Sequence, residues 1–351
     1  MVRERNHHNL PTIGITMGDP LGIGPEIVVR ALSELGPLKN ARYVIYGSNE
    51  RLTFTADKLD LKTSWSRIPH DSPRLEQPIQ DSILVRDYEQ APSIRSSLPG
   101  PSPAGGLLSR KLVEDAIDDA MRDPQEPRSL DAIVTAPISK QAWVMSGSRF
   151  PGHTEVIAHR TKSKRHTMLF RSKRLTVALA TAHIPLMDLR NLLTIGKVFD
   201  PIDIGHRFLK DLGISSPKIA VCGLNPHAGE NGILGDEDDR LIKPAIEMAR
   251  NAGIDANGPF PADTIFISAA EGKWDLVVAM YHDQGLIPVK LLGWRDAVNV
   301  TTGTPIIRTS PDHGTAYDIA GKYTADPSSM IEAVKLAVTM AQNRISPVES
   351  L

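Results

Sequence analysis

Three histidines follow three short apolar segments, and each stands where a buried strand is expected to end. These pairs are residues 175–181 with His183, residues 218–224 with His227, and residues 276–280 with His282. Continuous apolar runs of this length are typical of strands buried on both faces of a parallel sheet. Open α/β sheets bind ligands beyond the carboxyl ends of their strands, so the three imidazoles can converge on one point. Three imidazoles and a water form an open metal site. A single histidine there is better explained as a hydrogen-bonded loop residue, and the repeated context makes the two interpretations equally good.

The composition excludes several classes of protein. A length of 351 residues favours two domains over one. The net charge of -1 gives no surface for a polyanion, so no nucleic-acid partner is expected and any bound anion is small and held locally. The one cysteine, Cys222, excludes an intrachain disulfide and fits a reducing compartment. No segment reaches the ~18 apolar residues of a membrane span or resembles an export signal, so a cytoplasmic protein is expected.

Strand and helix signals alternate along the chain, which predicts an α/β fold. Residues 12–16 predict a strand, and Pro25 with Glu26 marks the start of a helix after a glycine-rich turn. That turn either directs backbone N–H groups at a phosphate or is only a tight connection that needs glycine. Further helices are expected at 108–120, 202–212, 238–252 and after Pro327, and a long loop at 91–106.

Polar residues at other strand and helix ends are candidate ligand contacts. Thr154 is expected to cap a helix, with His153 beside the helix start. Lys290, Asn299 and Arg308 follow His282 on successive turns and strand edges. Such cations usually lie on a solvated rim, but Arg308 follows three apolar residues, and an enclosed arginine needs an anionic partner.

Five ordered motifs resemble the 4-hydroxythreonine-4-phosphate dehydrogenase family of pyridoxal phosphate biosynthesis. They are Gly18-Asp19-Pro20 with Gly22 to Glu26, Pro151 to Glu155, Asn225 to Glu230, Tyr281 to Gly285, and Ile307 to Ser310 with Asp312 to Ala316. The resemblance runs from about Pro11 to Gln342, nearly the whole chain.

The resemblance implies a two-domain α/β fold like that of isocitrate and isopropylmalate dehydrogenases, with an active-site cleft between the domains. The first domain, on the cofactor side, would comprise residues 1–137 and 290–351, and the second, with the metal site and the dimer contact, residues 138–289. A divalent metal would be bound by His183, His227 and His282, contributed by both subunits of a homodimer. Zinc suits three imidazoles best, and cobalt or magnesium remains possible.

The same resemblance implies a small phosphorylated hydroxy acid as substrate, bound by His153, Thr154, Lys290, Asn299 and Arg308. Residues 312–322 resemble the adenosine-side cofactor loop of the isopropylmalate dehydrogenases. Gly314 and Asp318 would then bind NAD, with Asp318 on the ribose hydroxyls where it would repel a 2′-phosphate.

The implied reaction oxidises the hydroxyl at carbon 3 of a substrate of the 4-phosphohydroxythreonine type, followed by loss of CO₂ from the β-keto acid. Lys290, His153 and a metal-bound water are alternative general bases. Residues 230–232 and 287–293 look more like a branch that oxidises 4-phosphothreonate or 4-phosphoerythronate, and a further relative dehydrogenates aromatic dihydrodiols. Two other classes stay open: a three-histidine metallohydrolase and a non-catalytic binder of phosphorylated ligands.

Overall fold

The computed structural model describes residues 10–36, 40–78, 81–89 and 98–345 and divides them into two compact units. The first unit comprises residues 10–163 and 304–345, and the second comprises residues 164–303. The expected loop at 91–106 lies partly outside the described residues. The loop prediction is wrong for its last residues, because a helix already begins at Pro103. At the start of this helix, the Ser102 hydroxyl accepts a hydrogen bond from the Gly105 N–H.

The first unit is built on a sheet whose described strands are all parallel. Its strands are β1 (Thr12–Thr16), β2 (Arg42–Gly47), β3 (Ser66–Pro69), β4 (Ile83–Asp87), β5 (Ala132–Thr135) and β12 (Ile307–Pro311). They are ordered β3-β4-β2-β1-β5-β12. Its helices are α1 (Gly24–Leu35), α2 (Asn49–Lys58), α3 (Pro103–Ala120), α4 (Lys140–Met145), α5 (His153–Arg160) and α11 (Ser328–Ile345).

The second unit is built on a mixed sheet. Its strands are β6 (Thr167–Arg171), β7 (Thr176–Leu179), β8 (Lys218–Cys222), β9 (Asp255–Phe260), β10 (Leu276–Ala279) and β11 (Val298–Thr302). Within this unit the order is β11-β6-β7-β10-β8-β9, with β6 antiparallel to both neighbours and the other pairs parallel. Its helices are α6 (Leu189–Leu192), α7 (Ile195–Asp211), α8 (Lys243–Asn251), α9 (Ile265–Ala270) and α10 (His282–Gly293). The expected α/β class is confirmed.

The chain passes between the units after Ser163 and after Gly303, whereas the sequence-based division put the passages after 137 and after 289. Residues 138–163 belong with the first unit because α4 packs on α3, where the Trp143 indole donates a hydrogen bond to the Ser109 hydroxyl at 3.0 Å. Residues 290–303 belong with the second because β11 pairs with β6. His153 and Thr154 are therefore in the first unit, and Lys290 and Asn299 in the second.

Several helix boundaries differ from those predicted. Helix α5 begins at His153 with Gly152 at its N-cap, so Thr154 lies inside the helix and does not cap it. Helix α7 begins at Ile195, capped by Thr194, seven residues before the predicted start, and continues through Pro201. The predicted helix over 238–252 is a π-helical turn, Asp238–Ile242, followed by α8.

The glycine-rich turn between β1 and α1 is a tight buried connection. Residues 17–29 are all buried, and a Cβ on Gly24 would lie 2.3 Å from the Met17 carbonyl oxygen. Close approach of backbone to backbone therefore requires glycine there. The structure favours the tight-connection alternative, because the chain's own residues enclose this turn.

Candidate active site

Arg308, a candidate contact for an anionic ligand, is buried in the first unit. The Arg308 side chain, on β12, donates hydrogen bonds from Nε and Nη2 to the Thr135 hydroxyl at 3.0 and 2.8 Å. Arg308 is 3% exposed and Thr135 is fully buried. Burial lowers the pKa of Arg308 to about 9, while the Glu155 carboxylate acts in the opposite direction. A guanidinium desolvated to this degree favours an anionic ligand.

His153 is a second candidate contact in the first unit. Its ring packs edge-on against Trp143 with 5.6 Å between centroids, and its Nε2 is buried with no hydrogen-bond partner among the described residues. Burial lowers the pKa of His153 well below its usual range, and the charges of Arg308 and Lys140 lower it further. The imidazole is therefore neutral near pH 7, with one ring nitrogen ready to bond a ligand. Thr154 is half-buried in the first turn of α5.

Two of the three candidate metal ligands lie together in the second unit. The rings of His183 and His282 are 5.8 Å apart between centroids, because β7 and β10 are neighbouring parallel strands and each histidine follows one of them. His282 Nδ1 lies 2.7 Å from an Asp283 carboxylate oxygen. A carboxylate on one ring nitrogen orients the imidazole and leaves Nε2 for a metal, so this pair suits a divalent cation.

His227 is not grouped with that pair. Across the described residues, no three His, Cys, Asp or Glu side chains of one chain come together as a metal site. His227 follows β8, which is the other neighbour of β10, so all three histidines lie at the same edge of the sheet as expected.

His227 begins a left-handed turn. Residues 227–231 all have positive φ, with values of 51, 53, 82, 44 and 55°, and only Gly229 among them lacks a side chain. The left-handed conformation costs about 1–2 kcal/mol for each ordinary residue. Such backbone persists only where its surroundings enforce it, and it concentrates at functional sites.

Asp238 and Gly223 enforce that turn. The Asp238 carboxylate is 1% exposed and accepts hydrogen bonds from the Leu224 and Asn225 N–H groups at 2.8 and 3.1 Å, and from Asn225 Nδ2 at 3.0 Å. A Cβ on Gly223 would lie 2.7 Å from Ala228 Cα and 2.8 Å from an Asp238 carboxylate oxygen. Neither role is predictable from the sequence, where the run of four acidic residues at 236–239 is also typical of a helix start.

The predicted cofactor loop is irregular, and four of the hydrogen bonds that the structure describes join it and the adjoining Tyr323 to residues 19–30. These are the hydrogen bonds Ile23 N to Thr315 O (3.0 Å), Tyr317 Oη to Asp19 Oδ2 (2.8 Å), Gly321 N to Glu26 Oε1 (2.6 Å) and Arg30 Nη2 to Tyr323 O (2.5 Å). Gly314 and Asp318 are exposed on this loop, and a Cβ on Gly314 would meet open space. The motif from Gly18 to Glu26 therefore serves the loop as a scaffold, a role that the sequence did not reveal.

The remaining candidates lie in the second unit. Asn299, on β11 opposite Phe170, has a buried Oδ1 with no partner among the described residues. Lys290 lies on α10, with its Nζ 5.3 Å above the Trp294 ring. Cys222 is fully buried, and burial raises the pKa of its thiol to about 12, so it remains a protonated core residue.

Comparison with known proteins identifies the family. The family described as pyridoxal phosphate biosynthetic protein PdxA matches residues 39–337, well over half of the chain. The chain belongs to the PdxA family. The resemblance found in the motifs is thereby confirmed, as is the expectation of an oxidoreductase of the dehydrogenase class.

Relatives of this PdxA-family chain carry two kinds of name. A 4-hydroxythreonine-4-phosphate dehydrogenase of Desulforapulum autotrophicum is 42% identical, covering 95% of this chain and 96% of the relative. A D-threonate 4-phosphate dehydrogenase of Salmonella typhimurium is also 42% identical, covering 94% and 99%. The crystal structure of a 4-hydroxythreonine-4-phosphate dehydrogenase from Klebsiella pneumoniae matches at a TM-score of 0.82 and 38% identity, over 96% of this chain and 100% of that one.

Proposed function

We propose that this PdxA-family chain is an NAD- and divalent-metal-dependent dehydrogenase. Its substrate would be a small 4-phosphorylated hydroxy acid of the 4-phosphohydroxythreonine type, oxidised at the hydroxyl of carbon 3 and then decarboxylated. The observation that carries the substrate class is the buried Arg308 together with His153, whose Nε2 is buried without a partner among the described residues and whose pKa the Arg308 charge lowers further. Two such groups suit the phosphate or carboxylate of a small acid, whereas the near-neutral chain offers no broad cationic surface.

The chemistry of the donor set supports a metal bound by His183, His227 and His282. Imidazole nitrogens suit zinc, and cobalt or magnesium would depend on supply. When bound, the cation supplies Lewis acidity toward the substrate's hydroxyl oxygen, and NAD supplies the hydride acceptor. The dehydrogenase family favours this use of three histidines over a metallohydrolase.

The chain's own groups would bind the substrate and move its proton. Arg308, fixed in orientation by Thr135, would place its guanidinium charge beside one anionic group of the substrate. The buried Nε2 of neutral His153 has no partner among the described residues, and in the tautomer with its proton on Nδ1 it would accept a proton, which supports His153 as a candidate general base. Lys290 is the alternative base, and with Thr154 and Asn299 it would complete the polar contacts.

The cofactor assignment rests on the loop that carries Gly314 and Asp318. An exposed carboxylate at Asp318 suits the two ribose hydroxyls of NAD and disfavours a 2′-phosphate. We expect kcat/KM with NAD to exceed that with NADP, and Asp318→Asn to narrow the difference. Equal kcat/KM values for the two cofactors in the wild type would contradict the assignment.

A second substrate is favoured by a specific observation. The relatives named for 4-hydroxythreonine 4-phosphate and for D-threonate 4-phosphate are equally similar to this chain, at 42% identity. The alternative substrates are therefore 4-phospho-D-threonate and 4-phospho-D-erythronate. Following NADH absorbance with each of the three phosphorylated acids, with and without added divalent metal, tests the proposal. Metal-dependent NADH formation with none of them would contradict it.

We propose that the partner of this chain is a second copy of itself, in a homodimer whose subunits share the metal site. Large apolar side chains follow each of the three histidines and are exposed in the single chain. Examples are Met187, Ile233 and Leu291, which are 87%, 79% and 82% exposed. Apolar residues of this size are typical of contacts between subunits, and a second copy of the chain would cover them beside the histidines.

A further inference from the structure

The first unit contains a cavity at the far end of α5 from His153. Its volume is 540 Å³, within the range of about 300–1,000 Å³ that is typical of pockets for small molecules. It is lined by α3, by residues 147–150 and by the residues that end and follow α5. None of the residues proposed to bind substrate, metal or NAD is among the described residues that line it. The proposed reaction therefore does not account for this cavity.

Both carboxylates that line the cavity already have arginine partners. Asp118 accepts hydrogen bonds from Arg160 Nη2, at 2.5 Å to Oδ1 and 2.6 Å to Oδ2. Glu114 lies 4.0 Å from Arg110 Nε, one turn away on α3. The charges of these two pairs cancel, so the net charge of the cavity is set by its other side chains.

Two further cations of the lining, Arg149 and Lys162, have no carboxylate partner among the residues that the structure describes. Arg149 Nη2 instead lies 3.2 Å from His159 Nε2, a contact that a neutral imidazole accepts. Lys162 is exposed just after α5, with a φ of 53°, at a helix end where glycine is the usual residue. The cavity therefore carries two unmatched positive charges, which a dianion would complement.

Phe150 and Ser148 hold Arg149 in place. The guanidinium lies 4.8 Å from the centroid of the Phe150 ring, and the His159 ring is also 4.8 Å from that centroid. The Ser148 hydroxyl accepts a hydrogen bond from the Phe150 N–H at 3.1 Å and donates one to the Phe150 carbonyl at 2.8 Å. An ordered side chain loses less conformational entropy on binding, and a guanidinium offers a planar fork to phosphate. Arg149 is therefore a preorganised contact for a phosphate group.

The remaining large side chains of the lining are apolar. Ile117 is buried, Met121 is 45% exposed one turn later, and Phe150 is half-buried. A methionine and an aromatic ring beside unmatched cations suit a ligand that has both an anionic group and a planar, apolar body. An inorganic anion would leave these side chains uncovered.

We propose that this cavity is a second ligand site, which binds a small phosphate monoester with a planar, apolar body. A phosphate monoester carries close to two negative charges at pH 7, because its second pKa is about 6. Arg149 and Lys162 bind the phosphate, while Phe150, Ile117 and Met121 cover the body. The site uses neither Arg308 nor His153, so it binds its ligand without metal or NAD.

The test measures binding of a probe of that class. Isothermal titration calorimetry follows 1-naphthyl phosphate, a planar phosphate monoester, into the full-length protein near neutral pH. 1-Naphthoate, which has the same ring but a single negative charge, and inorganic phosphate are titrated for comparison. The test variants are Arg149→Ala and Phe150→Leu.

Lys58→Ala is the matched control. Lys58 Nζ lies 5.5 Å from the centroid of the Phe54 ring on α2, so this variant also removes a surface cation from above a phenylalanine of the first unit. Lys58 does not line the cavity. The control therefore removes the same charge and leaves the proposed site unchanged.

We expect Arg149→Ala to weaken binding of 1-naphthyl phosphate by at least ~10-fold, because a hydrogen bond to a charged group is lost. Phe150→Leu should weaken it by about 2- to 10-fold, and should affect inorganic phosphate less. Lys58→Ala should bind the ester as the wild type does. 1-Naphthoate should bind the wild type more weakly than the ester.

Arg308→Ala separates this cavity from the candidate active site, because it should retain a binding site for the ester that Arg149→Ala lacks. Thermal unfolding shows whether each variant is folded, and His153→Gln serves the same purpose if Arg308→Ala is not. If the ester is lost from these variants and kept by Arg149→Ala, it occupies the candidate active site and the inference is wrong, while the proposed function is supported. Equal losses in Arg149→Ala and Lys58→Ala would assign binding to general surface charge. No binding of the ester to the wild type would contradict the inference directly.

Discussion

Single residues set the charge around the candidate ligand contacts, and their partners are distant in sequence. Arg308 is held by Thr135, which lies 173 positions earlier in the chain. The apolar residues before Arg308 made partial enclosure the alternative to a solvated rim in the sequence, and the structure shows it buried. The identity of its partner was not predictable, because β5 and β12 become neighbours only when the sheet forms.

Arg308→Ala should lower kcat/KM by at least ~10-fold, because hydrogen bonds to charged groups contribute about 1.5–3 kcal/mol each. Arg308→Lys should restore only part of the loss, since an ammonium lacks the planar fork. Thr135→Val keeps the guanidinium but removes the acceptor that orients it, so a smaller loss is expected. Steady-state kinetics with the preferred phosphorylated acid measures all three.

A matched analogue that lacks the phosphate identifies the group that Arg308 binds. If Arg308 binds the phosphate, Arg308→Ala should cost much less with the analogue than with the full substrate. If it binds the carboxylate, the two losses should be equal. Wild-type kinetics of Arg308→Ala with every substrate would show that this arginine takes no part in recognition.

His153 should make stability depend on pH. Its pKa in the folded protein is lowered, mainly by burial. As the pH falls below about 6.5, the unfolded chain therefore takes up a proton before the folded protein does, and stability is lost. Between about pH 7.5 and about pH 5.5, the wild type should lose roughly 1 kcal/mol more unfolding free energy than His153→Gln. Urea denaturation at a fixed protein concentration measures the difference, and equal losses would mean that the imidazole is not held neutral.

At the scale of elements, the strands were predictable and the turns between them were not. Uninterrupted apolar runs identified β7, β8 and β10, and with them the edge of the sheet at which the three histidines lie. The left-handed turn at 227–231 was not predictable from the sequence because tertiary contacts cause it. Asp238 and Gly223 enforce the turn, while the turn itself contains only one glycine. The start of α7 was not predicted correctly because Pro201 lies within the helix, and a proline in a sequence normally indicates a helix boundary.

Substitutions that relax the turn at 227–231 should weaken metal binding by His227 although His227 itself is unchanged. Asp238→Asn replaces one acceptor oxygen with a donor facing the Leu224 and Asn225 N–H groups, so the turn should relax and bind metal more weakly. Gly223→Ala should have a similar effect, because its Cβ would overlap Ala228. Competition with a chelator, followed as the metal content of the protein, measures the change.

Asp239→Asn provides the matched control. Asp239 is the next residue along, but its carboxylate forms a surface ion pair with Lys243 and, among the hydrogen bonds of the described residues, none joins it to the turn. Surface pairs contribute about 0–1 kcal/mol, so this variant should keep wild-type metal affinity and thermal stability. If Asp239→Asn loses as much metal as Asp238→Asn, the removed negative charge and not the relaxed turn would be the cause of the loss.

At the scale of the whole molecule, the described chain contains no helix that is long and apolar enough to cross a bilayer. Large apolar side chains beside the three histidines are exposed in the single chain, and their exposure needs a physical explanation. The proposed homodimer supplies one and also accounts for the separation of His227 from the pair of His183 and His282.

Mixing two inactive variants tests whether the metal site is shared. His227→Ala and His282→Ala should each lose metal-dependent turnover as pure proteins. If His227 of one subunit completes the pair of its partner, a mixed dimer contains one site with both substitutions and one intact site. Unfolding and refolding an equal mixture should then restore about a quarter of wild-type activity, because half of the dimers are mixed and each has one working site of two.

The pairing of variants makes this test specific to the observed geometry. His183 and His282 lie side by side in one chain, so a mixture of His183→Ala and His282→Ala should stay inactive: each of its sites lacks one member of the pair. Recovery by that mixture, but not by His227→Ala with His282→Ala, would assign the ligands to the subunits differently. Recovery by neither, from refolded dimers, would mean that each chain holds its own three histidines, and the separation of His227 would then have to close within a single subunit when the metal binds.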